Sequence, residues 1–168
     1  MHDTLHDASA VPHGAIYTAT APFDARRVGA AAVYCSDGRY GEQMDQFLHE
    51  GLGLPRYDRV AVPGGAACLA GHIAAMFERN ALERQLRFLI EAHALTRVVL
   101  IAHHDCGFYK HRVRLTAGRS IAQQQAIDLA KSAEQIRLWC PGVEVEAYYA
   151  NPAGGRVTMS GGRAEAAD

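Results

Sequence analysis

The chain has 168 residues, 49% of them hydrophobic, which suits one domain with a buried core. Its 17 Lys and Arg stand against 18 Asp and Glu, so a formal net charge of −1 excludes the cationic footprint of a nucleic-acid or anionic-membrane binder. No apolar run is long enough to cross a bilayer, and the polar stretch from Met1 to His13 lacks the pattern of a secretory signal, so the expected location is cytoplasmic.

Residues 1–26 show no sustained periodicity and are punctuated by Pro12, Gly14 and Pro22. They read as an N-terminal arm, either packed on a partner subunit or left as a loose tail. An α/β domain over 27–160 follows. Its first element is the apolar run Val28 to Tyr34, which stops at Cys35-Ser36-Asp37-Gly38-Arg39. A short, continuously apolar run suits a strand covered on both faces. Met44, Phe47 and Leu48 at helical spacing predict a helix over 41–50, ended by Gly51, Gly53 and Pro55. Arg59 to Val62 reads as a second strand, ending at Pro63-Gly64-Gly65. A helical pattern from His72 to Ala94 places Ile73, Met76, Phe77, Leu82, Leu86, Leu89 and Ile90 on its buried side, with Asn80 as a candidate break.

Arg97 to Ala102 is the clearest strand and runs straight into His103-His104-Asp105-Cys106-Gly107. Phe108 and Tyr109 fall in the loop that follows. A helix over about 120–138, with Ile121, Ile127, Leu129, Ile136 and Leu138 apolar, ends at Pro141-Gly142. Val143 to Tyr149 alternates as a strand, and Gly154-Gly155 turns the chain into an antiparallel edge strand at Arg156 to Met159. Residues 161–168 are a small, polar, flexible tail. Alternating strands and helices predict a single α/β domain whose mostly parallel sheet has the order 2-1-3-4, an antiparallel edge strand, and a covering of helices.

In such a sheet ligands bind beyond the carboxyl ends of the strands, at the switch in strand order. With this order, Cys35, Asp37 and Arg39 at the end of strand one meet His103 and Cys106 at the end of strand three. Four cysteines in a reducing compartment must be ligands, nucleophiles or core residues. Two thiolates and one imidazole are a strong donor set for zinc, and three protein ligands leave a fourth position for water or a carboxylate. Cys68 and Cys140 have no comparable company and are assigned to packing. Cys35 as a nucleophile with His103 as base is an alternative that leaves Cys106 unexplained. The segment from Pro63 to Gly71 lacks a phosphate-binding pattern.

Cys35-Ser36-Asp37-Gly38-Arg39 resembles the Cys-x-Asp-Ser-Arg motif of the β-class carbonic anhydrases, and Ala102-His103-His104-Asp105-Cys106-Gly107 resembles their Gly-His-x-x-Cys-Gly motif. The order of elements is similar over residues 27–160. The resemblance implies zinc on Cys35, His103 and Cys106. It makes Asp37 and Arg39 a catalytic pair, with Asp37 either on Arg39 or on the metal as its fourth ligand. It implies zinc-dependent reversible hydration of carbon dioxide to bicarbonate, because zinc lowers the pKa of bound water to about 7. His104 and His111 are candidate proton carriers. It also implies a homodimer, with no nucleic-acid or membrane partner.

Gly38 stands where the family has serine, Ala102 where it has glycine, and Val62-Pro63-Gly64-Gly65-Ala66-Ala67 where it has a polar segment. A drier pocket wall with Phe108 and Tyr109 points to an alternative substrate, carbonyl sulfide or carbon disulfide. A non-catalytic zinc protein is the other alternative, against which the intact Asp37–Arg39 pair stands.

Overall fold

The apolar run ending at Cys35 forms strand β1 (Ala30–Cys35), in which every residue is buried. The computed structural model describes Gly14 and residues 16–163. The other strands are β2 (Asp58–Val62), β3 (Arg97–His103), β4 (Glu144–Ala153) and β5 (Arg156–Arg163). They form one sheet of order β2-β1-β3-β4-β5. β1 pairs in parallel with both β2 and β3, β3 in parallel with β4, and β5 returns antiparallel on β4. The expected mostly parallel α/β sheet with an antiparallel edge is therefore present.

Successive strand residues point to opposite faces, and both faces here are apolar. Ala31, Val33, Val98 and Leu100 pack with Leu82, Leu86 and Ile90 of helix α2 (Met76–His93) and Leu129, Ala133 and Ile136 of a long helix, Ile121–Trp139. Ala30, Ala32, Tyr34, Val99 and Ile101 pack on the other side with Tyr40, Met44 and Leu48. Met44 lies in helix α1 (Gly41–Gln46), which runs on into a π-helical turn at Phe47–Gly51 instead of staying α-helical to residue 50.

Three expectations need correction. The helix expected from His72 begins as a separate 3₁₀ turn at Ile73–Ala75, and α2 then runs unbroken past Asn80. Ile73, Met76 and Phe77 are 86%, 51% and 90% exposed, while Ala75 is buried: Ile73 lies in the separate turn, and Phe77, five residues before Leu82, points away from the face that Leu82, Leu86 and Ile90 bury. Residues 107–112 are not loop but helix α3 (Gly107–Arg112). The long helix Ile121–Trp139, now α4, exposes Leu138 and buries Gln124, Gln125, Asp128 and Ser132. A capping box starts it: the Ser120 side chain accepts from the Gln123 N–H, and the Gln123 side chain accepts from the Ser120 N–H. β5 continues through Arg163, so residues 161–163 pair with β4 rather than join a tail. Residues 164–168 and most of the N-terminal arm lie outside the described residues. No described helix is long and apolar enough to cross a membrane.

Leu86 is 1% exposed where α2 meets the sheet. Leu86→Ala is expected to cost about 2–5 kcal/mol through lost burial and the cavity left behind, measured by urea unfolding with an unchanged m-value.

Candidate metal centre

Alternation along the strands decides how the site is built. Cys35 continues the face of Ala31 and Val33, whereas His103 continues the face of Val99 and Ile101. The parallel β1–β3 pairing sets Tyr34 opposite Ile101, so the two strand ends lie side by side. Their side chains leave opposite faces and converge past the edge of the sheet. The loop after β3 returns Cys106 to the Cys35 side through Asp105, which adopts the left-handed region at φ 60°. The Cys35, His103 and Cys106 ligand atoms all lie within 4.8 Å of one another, and all three residues are buried.

The donor chemistry fits a tetrahedral thiophilic ion. Two zinc–sulfur bonds of about 2.3 Å at a tetrahedral angle place the sulfurs about 3.8 Å apart. The Cys35 and Cys106 Sγ atoms are 3.9 Å apart. His103 Nδ1 is 2.8 Å from the carbonyl oxygen of His104, so this nitrogen donates and Nε2 is left with its lone pair. That Nε2 is buried without a hydrogen-bond partner among the described residues. An orphaned buried imidazole nitrogen facing two sulfurs is costly unless something binds it. The ring is held by Tyr40, whose own ring centroid lies 4.4 Å away and whose hydroxyl donates to the His104 carbonyl at 3.0 Å.

The thiols are strongly perturbed. The Cys35 thiol is pulled well below its ordinary range, first by the hydrogen bond from Cys106, against burial, and further by His103 and the Gly64 N–H. The Cys106 thiol is pushed up by its hydrogen bond to Cys35, by burial, and by the negative charge on Cys35. The Gly64 N–H donates to Cys35 Sγ at 3.3 Å. Here the Pro63-Gly64-Gly65 turn supplies backbone where polar side chains were expected to be lost. Both glycines are required: Gly64 has φ 81°, and a Cβ on Gly65 would sit 2.8 Å from the Cys35 nitrogen.

Asp37 and Arg39 form a fork beside the sulfurs. Arg39 Nε lies 3.0 and 3.1 Å from the two Asp37 carboxylate oxygens, and Nη2 lies 2.6 Å from Oδ2. Arg39 also reaches the second loop, donating to the Asp105 carbonyl at 3.3 Å and pairing with the Asp105 carboxylate at 3.5 Å. The side-chain contact with Arg39 is the main reason the Asp37 carboxyl is pulled down to about 2. Asp37 thus sits on Arg39 and outside the Cys-His-Cys group. A Cβ on Gly38 would meet no heavy atom within 4 Å, so the absent serine leaves no clash or close contact there.

A cleft of about 440 Å³ opens on the site, lined by Cys35, Asp37, Pro63, Glu78, Phe108 and Arg112 among others. Glu78 and Arg112 face each other across it at 3.8 Å. Sequence reasoning missed both: Glu78 lies on α2, remote from the two motifs, and Arg112 lies on α3, which the sequence reads as loop. His104 and His111 are exposed. Cys68 is buried, its thiol pushed up to about 11 by burial, and Cys140 is half-buried. Neither belongs to the metal-capable group. Tyr109, expected in a loop, is 2% exposed on α3 beside Cys106.

Two thiols and an imidazole at the carboxyl end of a parallel sheet, with a carboxylate–guanidinium fork beside them, define a cluster consistent with the zinc site of β-carbonic anhydrases. The sequence matches the family described as "Putative carbonic anhydrase" over residues 26–158, and the chain belongs to that family. No curated protein shows significant sequence similarity to it. Among solved structures, it is similar to β-carbonic anhydrase isoform I of Trichomonas vaginalis, with 17% identity, a TM-score of 0.48, and coverage of 84% of this chain and 87% of that one. A tetrameric β-carbonic anhydrase of Sordaria macrospora gives 12% identity and a TM-score of 0.46 over 81% of this chain and 83% of that one. The carbonic anhydrase of Streptococcus mutans gives 17% and 0.44 over 85% and 87%.

The Asp37 carboxyl is expected to titrate near 2 by carbon NMR and to return toward 3.8 in Arg39→Ala. Because the folded value is the lower one, the contact favours the folded state above pH 4 and is lost as pH falls through 2. Gly64→Ala, which would bring a Cβ within 2.6 Å of the Phe108 ring, is expected to lose about 1–3 kcal/mol in thermal unfolding.

Proposed function

We propose that the chain is a zinc-dependent carbonic anhydrase, catalysing reversible hydration of carbon dioxide to bicarbonate. The observation that carries this is the buried Cys35–His103–Cys106 group with its unpartnered Nε2, set beside the Asp37–Arg39 fork. In this reading Cys35 Sγ, Cys106 Sγ and His103 Nε2 hold zinc. When bound, zinc supplies a water acidified to a pKa of about 7.

The chain's own groups do the rest. Asp37 is ionised throughout the working range because Arg39 holds its carboxyl down to about 2. It therefore acts as a hydrogen-bond acceptor, orienting a nucleophilic oxygen toward the carbon of the substrate. Arg39 fixes the carboxylate plane with its two-pronged contact and ties the first motif to the second through Asp105. That contact also keeps Asp37 off the metal position. Phe108 and Pro63 give the cleft an apolar wall that suits an uncharged linear substrate and discourages water. The exposed His104 and His111 can carry the released proton to solvent.

A second reading, hydrolysis of carbonyl sulfide or carbon disulfide, is favoured by one observation. A mainly apolar chamber of about 250 Å³, with Val62, Leu82 and Phe108 in its wall, shares Pro63, Glu78 and Phe108 with the cleft. The same hydroxide chemistry would serve a longer, more polarisable substrate there. A homodimer belongs to the same proposal, supported by the exposed apolar side chains of Ile73 and Phe77. Size-exclusion chromatography with light scattering tests it.

Purified protein is expected to hold one zinc per chain and to hydrate carbon dioxide in stopped flow. Cys106→Ser should lose most of the metal. Asp37→Ala should keep the zinc and lose roughly 10²-fold or more in rate, the scale of a positioned acceptor. Zinc at one per chain without hydration would refute the carbonic anhydrase reading, and turnover of carbon disulfide by the same protein would then establish the second.

A further inference from the structure

Helix α4 turns polar side chains to the core where an amphipathic helix ordinarily places apolar ones. Gln125, Asp128 and Ser132 recur at helical spacing and are 1%, 1% and 0% exposed. Each reaches a different segment of the metal centre. Gln125 Nε2 donates to the His103 carbonyl at 2.9 Å. Asp128 Oδ2 accepts from the Tyr109 hydroxyl at 2.7 Å. Ser132 Oγ donates at 2.7 Å to the Ala66 carbonyl, in the turn whose Gly64 N–H reaches Cys35. One helix face therefore stands behind the segments that carry or contact His103, Cys106 and Cys35.

The Gln125 and Ser132 bonds have a plain explanation, since each gives a buried backbone carbonyl a donor. The Tyr109–Asp128 pair does not. Both partners are side chains, and phenylalanine and leucine would fill the same volume without a buried carboxylate to solvate. Instead Asp128 carries two further contacts: His72 Nε2 at 2.6 Å, and a bond donated by Gln124 Nε2 at 2.8 Å. Arg119 holds Gln124 in turn, at 2.9 Å. A network of this kind fixes one geometry more sharply than apolar packing does.

What it fixes is α3. That helix has six residues, too few to persist without tertiary contacts, and Tyr109 is the residue it buries. Cys106 is its N-cap and has no side-chain capping bond. The position of Cys106 relative to Cys35 thus depends on where Tyr109 is held.

We propose that Asp128, acting through Tyr109, is a positioning residue for the metal centre, holding α3 so that Cys106 stays at metal-bridging distance from Cys35. The role rests on the zinc reading above, and not on the identity of the substrate. Groups bonded directly to a metal ligand contribute about 10–100-fold to metal affinity, and a partner one step further out is expected at the low end of that scale.

The test compares zinc release and the visible spectrum of the cobalt-substituted protein in the wild type, Tyr109→Phe and Asp128→Asn. Lys131→Ala, on the exposed side of α4, is the control. Tyr109→Phe removes one hydroxyl and is expected to lose zinc to a chromogenic chelator about tenfold faster. Its thiolate-to-cobalt and d–d bands should shift while far-ultraviolet circular dichroism is unchanged, and Asp128→Asn should do the same. Lys131→Ala should match the wild type. Folded variants with wild-type release rates and cobalt bands would overturn the positioning role. If Asp128→Asn does not fold, Tyr109→Phe alone decides. A wild type that takes up neither ion overturns the zinc reading and this role with it, an outcome distinct from normal metal uptake with indifferent variants.

Discussion

The parallel pairing of β1 with β3 is the constraint on which everything else in this protein depends. It joins residues more than sixty positions apart and sets Tyr34 opposite Ile101. Cys35 and His103 then leave neighbouring strand ends from opposite faces. Neither a helix nor a hairpin could bring this pair together at such sequence separation. The pairing is stabilised by the burial of both strands on both sides, between α2 and α4 on one face and α1 on the other. A large apolar core therefore supports the register on which a small polar site depends.

That polar site is expensive in isolation. Two buried sulfurs 3.9 Å apart and an unpartnered imidazole nitrogen cannot all be satisfied by protein groups. The same short contact drives the Cys35 thiol down and the Cys106 thiol up. A divalent cation on all three donors at once would satisfy them. The surrounding donors point the same way: the Gly64 N–H faces a thiolate, and the His104 carbonyl takes the Nδ1 proton so that Nε2 offers a lone pair. Arg39 extends the order outward. It holds Asp37 and reaches Asp105 in the other motif, so the charged rim is tied to both motifs.

Much of this was legible in the sequence. Continuous apolar runs announced doubly covered strands, and their abrupt ends at Cys35 and His103 announced where chemistry would sit. Given the expected strand order 2-1-3-4 the two motifs meet in one crevice, and the sheet has that order. The paired motifs carried the family resemblance, which the match over residues 26–158 bears out. Local pattern was less informative where tertiary context sets the phase. Ile73 and Phe77 stand four apart, the spacing of a buried face, yet both are exposed: Ile73 sits in a separate 3₁₀ turn, and Phe77 lies off the face of α2 that Leu82, Leu86 and Ile90 bury. Helix α3 spans six residues, too few for a periodicity to show, and Tyr109 is the residue it buries.

The sequence by itself determined the donor set, the α/β class and the strand ends that bear the site, because residue type and hydrophobic period are local properties. The tertiary structure decided which groups stand behind those donors. Gln125, Asp128 and Ser132 look like solvent-facing residues in a sequence, since polar side chains are ordinarily exposed. They are buried because the end of β3, helix α3 and the turn after β2 present a carbonyl, a phenol and a second carbonyl to the same helix face, and a hydrogen bond between elements far apart in the chain leaves no mark in either one read alone.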